Sequence, residues 1–163
     1  MQVTTTRFGT VEVPDDGLVT FTDGLPGFAG ARTMALLGAG DIPGTQPSEG
    51  HQNLFWLQDV DDPDLAFLTI VPWSAYPDYD IEIDPAEIDH AEPDDVCVLN
   101  IVTVRRERGG MQMTTNLMAP IVIDTARRTG RQLILDDPTL PIQAPLAESN
   151  NDTGDQIRAD PHP

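Results

Sequence analysis

Clustered aspartates are the residues with the clearest chemical potential in this sequence. Asp59, Asp61, Asp62 and Asp64 fall within one short segment, and carboxylate oxygens are the preferred ligands of hard cations such as Ca²⁺. A calcium loop of the EF-hand type needs Gly at its sixth position and Glu at its twelfth. A loop that starts at Asp59 instead has Asp64 and Ile70 there. We therefore predict no dedicated metal site and no cofactor, and keep a carboxylate-based metal-dependent hydrolase as an alternative.

Nucleophilic catalysis requires a nucleophile beside an oriented base. The possible nucleophiles and bases are Ser48, Ser74, Ser149, Cys97, His51, His90 and His162. No Gly-x-Ser-x-Gly motif surrounds any of the serines. Cys97 falls in an apolar run, where a thiol usually packs rather than reacts. We therefore predict no catalytic residue, and a protein that is not an enzyme.

Charge argues against a nucleic-acid partner. The net charge is −18, and all nine cationic side chains are arginine. Residues 59–95 carry thirteen of the 27 carboxylates and no Lys or Arg, and we call these carboxylates the acidic belt. Nucleic-acid binding needs a basic surface, which this segment does not offer. The belt is either a solvated surface or a dock for a basic protein.

Two arginine-rich turns contrast with the belt. Residues 105–108 and 127–131 hold six of the nine arginines. We predict an antiparallel meander here, whose first and third turns would lie at the same end of the sheet. The two turns would then form one basic corner. The alternative is that they are charged hairpin tips that keep the protein soluble.

Short runs of alternating apolar residues, separated by turn residues, predict an all-β fold. The architecture expected is a small, partly closed antiparallel β-barrel or sandwich with one or two short helices. The predicted strands are 1–8, 11–13, 18–21, 53–58, 66–71, 80–84, 96–104, 111–117, 120–124 and 131–135. Residues 31–37 fit a strand or a helical turn equally well. Asp84 and Pro85 predict the start of a short helix.

The domain is predicted to span 1–146, followed by a disordered acidic tail at 147–163. Gly, Pro and Ser make 38–52 a predicted mobile surface loop. The first residues have no apolar core typical of a signal peptide, and no apolar run reaches the roughly 20 residues of a membrane span. A single cysteine allows no internal disulfide. A cytoplasmic location without membrane contact is expected, with a monomer as the free state.

Six blocks of sequence follow one another in a recognisable order. They are FTDGLPGF at 21–28, FWLQDVDDPDLAF at 55–67, PDY at 77–79, VLNIVTV at 98–104, NLMAPIVID at 116–124 and LILDD at 133–137. In this order they resemble the flagellar assembly factor FliW family, over about residues 4–146. Arg105 departs from the family pattern, which commonly has Pro after the VLNIVTV block.

The resemblance implies a small β-barrel-like protein without enzymatic activity. Members of the family bind flagellin in the cytoplasm. They also bind the translational repressor CsrA away from its RNA surface, and thereby relieve repression of flagellin mRNA. Flagellin export frees the protein to act on CsrA, so that flagellin synthesis follows secretion. A flagellin chaperone without CsrA regulation is the alternative within this family.

Exposed charge and loop position, rather than the resemblance, select the candidate contact residues. They are Asp59, Asp61, Asp62, Asp64, Tyr79, Asp136 and Asp137. Tyr79 belongs to a proline-rich segment that also contains Trp73 and Tyr76, and these aromatics either anchor a partner or close one end of the barrel. Trp56 and Phe67 are predicted to be core residues.

Overall fold

The computed structural model describes residues 1–38, 41–42 and 52–146, and within them regular structure is almost entirely β-strand. The strands are β1 (Gln2–Thr5), β2 (Gly9–Glu12), β3 (Leu18–Thr20), β4 (Thr33–Leu37), β5 (Leu54–Asp59), β6 (Ala66–Ile70), β7 (Val96–Glu107), β8 (Gly110–Thr115), β9 (Ile121–Asp124), β10 (Thr129–Gln132) and β11 (Ala144–Pro145). Short 3-10 helices occur at Asp15–Gly17, Pro72–Ser74, Pro85–Ile88 and Pro93–Asp95. The all-β prediction is confirmed.

Seven of these strands close into a ring. Their order is β7-β6-β5-β4-β3-β10-β9, and β9 pairs back onto β7. The neighbours are antiparallel except β3 and β10, which meet in parallel at Thr20 and Thr129. The barrel is thus closed rather than partly closed, and closure leaves these strands without free edges over their paired lengths.

Strand β7 holds the ring together because it pairs with three strands. Its start, from Val96 to Leu99, pairs with β9, and Asn100 and Ile101 pair with β6. Its second half, from Val102 to Glu107, pairs with β8. Strands β8 and β9 are therefore successive antiparallel partners of β7, joined through residues 116–120.

This arrangement corrects the predicted meander, since β9 pairs with β7 and not with β8. The β7–β8 turn lies at the end of β7. The β9–β10 turn lies near the beginning of β7, since the amide of Thr125 donates a hydrogen bond to the carbonyl of Asp95, just before Val96. The twelve-residue strand separates the two ends by on the order of 35 Å. The arginine turns 105–108 and 127–131 therefore do not form one basic corner.

The structure also decides two further sequence predictions. Residues 31–37, which could have been a strand or a helical turn, contain strand β4. Residues 80–84 are not a strand, although Ile81 and Ile83 are partly buried against neighbouring clusters as the alternation indicated. The tail 147–163 and most of the predicted loop 38–52 lie outside the described residues, as do Ser48, His51, Ser149 and His162.

The barrel interior is filled by apolar side chains from most strands of the ring. The buried cluster comprises Val19, Phe21, Leu25, Ala31, Met34, Leu57, Leu99, Ile121 and Ile123. Strands β1 and β2 form a separate hairpin, whose Val3 and Val11 pack with Leu37 of β4. The hairpin thereby covers the outside of the barrel beside β5.

Gly130 allows β10 to approach this core closely. A Cβ atom at position 130 would lie 2.7 Å from Cε1 of Phe21 and 3.1 Å from Cγ1 of Val19. We expect Gly130→Ala to destabilise the fold by about 1–3 kcal/mol, because overpacking a filled core forces neighbours to shift. Urea denaturation measures the change. Gly30→Ala is the matched control, since nothing lies within 4 Å of its Cβ position; equal losses in both variants would contradict the close approach.

Candidate partner-binding surface

The aspartate segment after β5 is a hydrogen-bonded turn built around Asp59. This side chain is 3% exposed, and its Oδ1 accepts hydrogen bonds from the backbone amides of Asp61 at 2.8 Å and Asp62 at 3.2 Å. Strand β4 contributes too, since the carbonyl of Thr33 accepts from Val60. Asp59 is therefore a structural residue, and its predicted exposure is wrong.

Gln58 fastens the same turn from inside. It is fully buried, and its Nε2 lies 3.1–3.2 Å from the carbonyl oxygens of Asp59, Asp62, Pro63 and Leu65. The side-chain amide of Gln58 can donate to these four carbonyl oxygens, whereas a Glu carboxylate at this position would be repelled by them. The sequence analysis missed this role, although Gln58 stands directly before the aspartates.

The β1–β2 hairpin holds the turn from outside. The Thr6 hydroxyl donates to Oδ1 of Asp64, and the Thr6 amide donates to the carbonyl of Pro63. Cζ of Arg7 lies 4.5 Å from the centroid of the Trp56 ring. Trp56 is half-buried, so the prediction that it is a core residue is only partly correct. The turn is fixed on two sides, and it presents the carboxylates of Asp61, Asp62 and Asp64 to solvent.

Tyr79 is buried in a small cluster with Leu117 and Ala144, outside the cluster that fills the barrel. It is 7% exposed, and its hydroxyl donates to the carbonyl of Leu117 at 2.5 Å. Trp73 packs on it and donates from Nε1 to its carbonyl at 2.7 Å. Burial raises the pKa of Tyr79, and a hydrogen bond with Asn100 opposes this effect. The expectation that Tyr79 is a surface residue is wrong.

The rest of the belt is a broad exposed surface. Eleven of its thirteen carboxylates are exposed, Asp95 is half-buried and Asp59 is buried. Near its centre, Asp84 begins the 3-10 helix Pro85–Ile88 by accepting from the amide of Ala86. That helix ends in two consecutive residues with positive φ, Asp89 at 50° and His90 at 57°.

Arginines of the β9–β10 turn and of β10 itself attach the belt to the barrel. Arg127 donates to the carbonyl of Asp89 at 2.9 Å, and Arg131 donates to that of Glu87 at 2.8 Å. Arg128 donates to the carbonyl of Leu18 at 3.1 Å. A cleft of about 260 Å³ remains between the turn and the belt. Arg127 and Arg131 therefore hold the belt segment 87–89 against the barrel.

Asp136 and Asp137 are both exposed, as predicted from the loop that follows β10. Oδ1 of Asp137 accepts from the hydroxyl of Thr139 at 2.6 Å and from its amide at 3.0 Å. The bond from the Thr139 hydroxyl, and to a smaller extent the bond from its amide, lower the pKa of Asp137. Contact between these two residues and a partner stays a prediction, as it does for Asp61, Asp62 and Asp64.

The candidate nucleophiles Cys97 and Ser74 and the possible metal ligands around Asp59 lie within the residues that the structure describes. Burial raises the pKa of the Cys97 thiol, against a smaller opposing effect of Arg128. The Ser74 hydroxyl donates to the carbonyl of Val71. Across 1–38, 41–42 and 52–146, no three His, Cys, Asp or Glu side chains are grouped to hold a metal ion. No helix in these ranges is long and apolar enough to cross a membrane.

The FliW family model matches residues 2–146, nearly the whole described chain. The chain belongs to the FliW family. Relatives named flagellar assembly factor FliW include one from Natranaerobius thermophilus, 36% identical over 97% of this chain and 98% of its own length. Another, from Caldicellulosiruptor saccharolyticus, is 32% identical over 88% of this chain and 89% of its own.

A solved structure agrees with this assignment. A crystal structure of the flagellar assembly factor FliW superimposes with a TM-score of 0.72 at 28% identity, covering 89% of this chain and 96% of the other. The FliW resemblance inferred from the six sequence blocks is confirmed. Within the FliW motif at residues 55–67, Gln58 and Asp59 hold the backbone of the turn that exposes the other acidic residues.

The buried and exposed aspartates of this turn should respond differently to truncation. We expect Asp59→Ala to destabilise the protein by about 1–3 kcal/mol, because two backbone amides lose their acceptor in a buried site. The exposed Asp61 is the control, and Asp61→Ala should change stability by less than about 0.5 kcal/mol. Thermal and urea denaturation measure both. Similar losses would show that Asp59 has no special structural role.

Tyr79 should make stability depend on pH at the alkaline end. Its pKa is raised in the folded protein, so the folded state keeps the proton more tightly than the unfolded state. The stability contribution is complete below the usual pKa of 10.0 and is lost as pH rises through the raised value. We expect Tyr79→Phe to cost about 1–2 kcal/mol at neutral pH. The loss between about pH 8 and pH 11 should also be smaller in this variant; an identical pH profile would refute the assignment.

Proposed function

We propose that this protein is a non-catalytic flagellar assembly factor that binds flagellin in the cytoplasm and allosterically antagonises the translational repressor CsrA. Flagellin occupies the protein while export is blocked. Export frees it to bind CsrA away from the RNA surface, which relieves repression of flagellin mRNA. Membership of the FliW family is the single observation that carries this proposal.

The surface charge supports a basic protein as one partner. The exposed carboxylates of the belt run from Asp61 to Asp94 without an intervening Lys or Arg. A surface rich in charge of one sign accelerates encounter with an oppositely charged protein and disfavours approach to RNA. CsrA, as a basic RNA-binding protein, has the complementary charge.

The rigid turn after β5 supports a direct contact role for Asp61, Asp62 and Asp64. Gln58 and Asp59 fix its backbone from within, so that little conformational entropy is lost when a partner binds. The three carboxylates stay solvent-exposed around this fixed backbone. We propose this turn as a contact with the basic partner, with Asp136 and Asp137 as a second exposed contact.

Neutralising the turn while keeping its hydrogen-bond acceptors tests the contact. In Asp61→Asn/Asp62→Asn/Asp64→Asn, we expect CsrA to bind about tenfold more weakly at low salt, because three exposed charge pairs are worth roughly 0.2–1 kcal/mol each. Calorimetry with purified CsrA measures the change. The difference should shrink as salt rises above 0.1 M, where the screening length is about 10 Å.

The matched control removes three exposed charges outside the belt. Glu12→Gln/Asp15→Asn/Asp16→Asn changes the net charge equally, and these side chains are also exposed. Equal weakening by both variants would indicate net charge rather than a contact. Binding of flagellin without CsrA would leave the chaperone-only function, and binding of neither protein would overturn the proposal.

A further inference from the structure

Strands β7 and β8 extend beyond the barrel as an exposed two-stranded hairpin, and we call residues 103–112 the arginine arm. Every residue from Thr103 to Met111 is exposed. Strand β8 pairs with one edge of β7 as far as Glu107. On the other edge the last residue of β7 to pair with β6 is Ile101, so no strand of the described chain pairs with the arm there. We call this the open edge, and an edge of this kind is a template for an added strand.

Two residues of the arm direct their backbone groups to the open edge. The carbonyl of Ile101 accepts a hydrogen bond from the amide of Asn116, which follows β8, so the backbone groups of Ile101 face the β8 side. Backbone groups alternate between the two edges along a strand, and those of Val104 and Arg106 therefore face the open edge. Each of these two residues offers an amide donor and a carbonyl acceptor there. An extended peptide presents both kinds of group in the same alternation and can bond to both residues.

Exposed apolar side chains lie on one face of the arm. Val104 is 44% exposed and Met111 is 42% exposed. Val104 lies opposite Met113 and Arg106 lies opposite Met111, so these four side chains share a face. Met113 belongs to a buried apolar cluster at the base of the arm. The apolar surface therefore continues outward from that cluster and ends beside Arg106.

The arm also carries unpaired positive charge on an acidic protein. Arg105, Arg106 and Arg108 are accompanied by a single carboxylate, Glu107. None of the three arginines forms an ion pair in the described part of the chain, where the ion pairs present belong to arginines outside the arm. At about 0.15 M salt the screening length is about 8 Å, so a ligand in contact with the arm responds to these arginines more than to distant carboxylates. The complementary ligand is therefore acidic.

A short acidic stretch of protein fits this site better than a polyanion such as RNA. Strand β6 runs antiparallel to β7, with Ile70 opposite Asn100, so the start of β6 and the aspartate turn before it lie toward the arm. A polyanion that extends from the open edge toward this turn meets the exposed carboxylates of Asp61, Asp62 and Asp64. Phosphate groups accept hydrogen bonds without donating them, so they leave the carbonyl groups of the open edge unbonded.

We propose that the arginine arm binds an extended, acidic segment of a partner protein, which adds to the open edge antiparallel to β7. Two consecutive acidic side chains of the segment lie opposite Arg106 and Arg105, and an apolar side chain follows opposite Val104. The first and third of these residues bond to the backbone of Arg106 and Val104, and the second directs its backbone groups away from the arm. The proposal does not depend on flagellin or CsrA binding, since the site includes none of the aspartates proposed to contact CsrA.

Titration of the full chain with a synthetic peptide tests the proposal. The probe is the acetylated and amidated peptide Ser-Thr-Glu-Glu-Val-Thr-Ser, and the amide NMR shifts of Val104 and Arg106 report its binding. We expect these shifts to saturate. The peptide with Gln in place of both Glu residues should bind about fivefold more weakly, because two exposed ion pairs are lost. The absence of shifts at up to about 5 mM probe would overturn the proposal.

A charge reversal on the arm has a matched control directly before β4. Arg106→Glu should weaken binding of the probe about tenfold, because one attraction becomes a repulsion. Arg32 is also exposed and forms no ion pair within the described residues, so Arg32→Glu changes the net charge equally and should leave binding unchanged. A probe with Lys in place of its first Glu should bind Arg106→Glu more tightly than the unmodified protein. Equal weakening by both variants, or no recovery with the Lys probe, would contradict the contact.

Methylated probes separate strand addition from charge attraction alone. N-methylation of the first Glu blocks an amide that faces the arm, whereas N-methylation of the second Glu blocks one that faces away. We expect the first change to weaken binding about tenfold and the second to leave it nearly unchanged, because only the first removes a hydrogen bond to the open edge. Equal binding of the two methylated probes would refute strand addition.

Other occupants of the arm give different results in the same titration. A short oligouridylate that shifts the amides of Val104 and Arg106 at a lower concentration than the probe would identify RNA as the ligand. Shifts that change with protein concentration in the absence of any probe would identify a second copy of the chain. Either result would replace the proposed partner and so overturn the proposal.

Discussion

Backbone pairing along β7 is the constraint on which the rest of the structure depends. This one strand pairs with β6 on one edge and with β9 and then β8 on the other. The first two pairings close the barrel, and the third carries the chain beyond it. As a result, the acidic belt arrives at one end of β7 and the arginine-rich turn 105–108 lies at the other.

The aspartates of this protein have two physical roles that their charge alone does not distinguish. Asp59 and Asp124 are buried, and both accept hydrogen bonds from amides of the turns that follow them. Their neighbours Asp61 and Asp62 keep their carboxylates in water. The buried groups hold backbone turns in place, and the exposed groups generate the surface field.

The arginines divide in a similar way. Those of the β9–β10 turn and of β10 donate to backbone carbonyls of the belt and of β3, and so attach one acidic segment to the barrel. Those of the turn 105–108 make no ion pair in the described part of the chain. In a protein with net charge −18, this leaves a local positive charge at one end of β7.

The sequence by itself determined the all-β class, the placement of most strands and the family, because period-two alternation, turn residues and ordered motifs are local properties. It could not decide that Asp59 and Tyr79 are buried, because their burial depends on Thr33 and Leu117, which are distant in the sequence and are brought close by the fold. Only the tertiary structure decided that β9 follows β8 along the same edge of β7. That register depends on long-range backbone pairing, and it places the two arginine turns at opposite ends of the molecule.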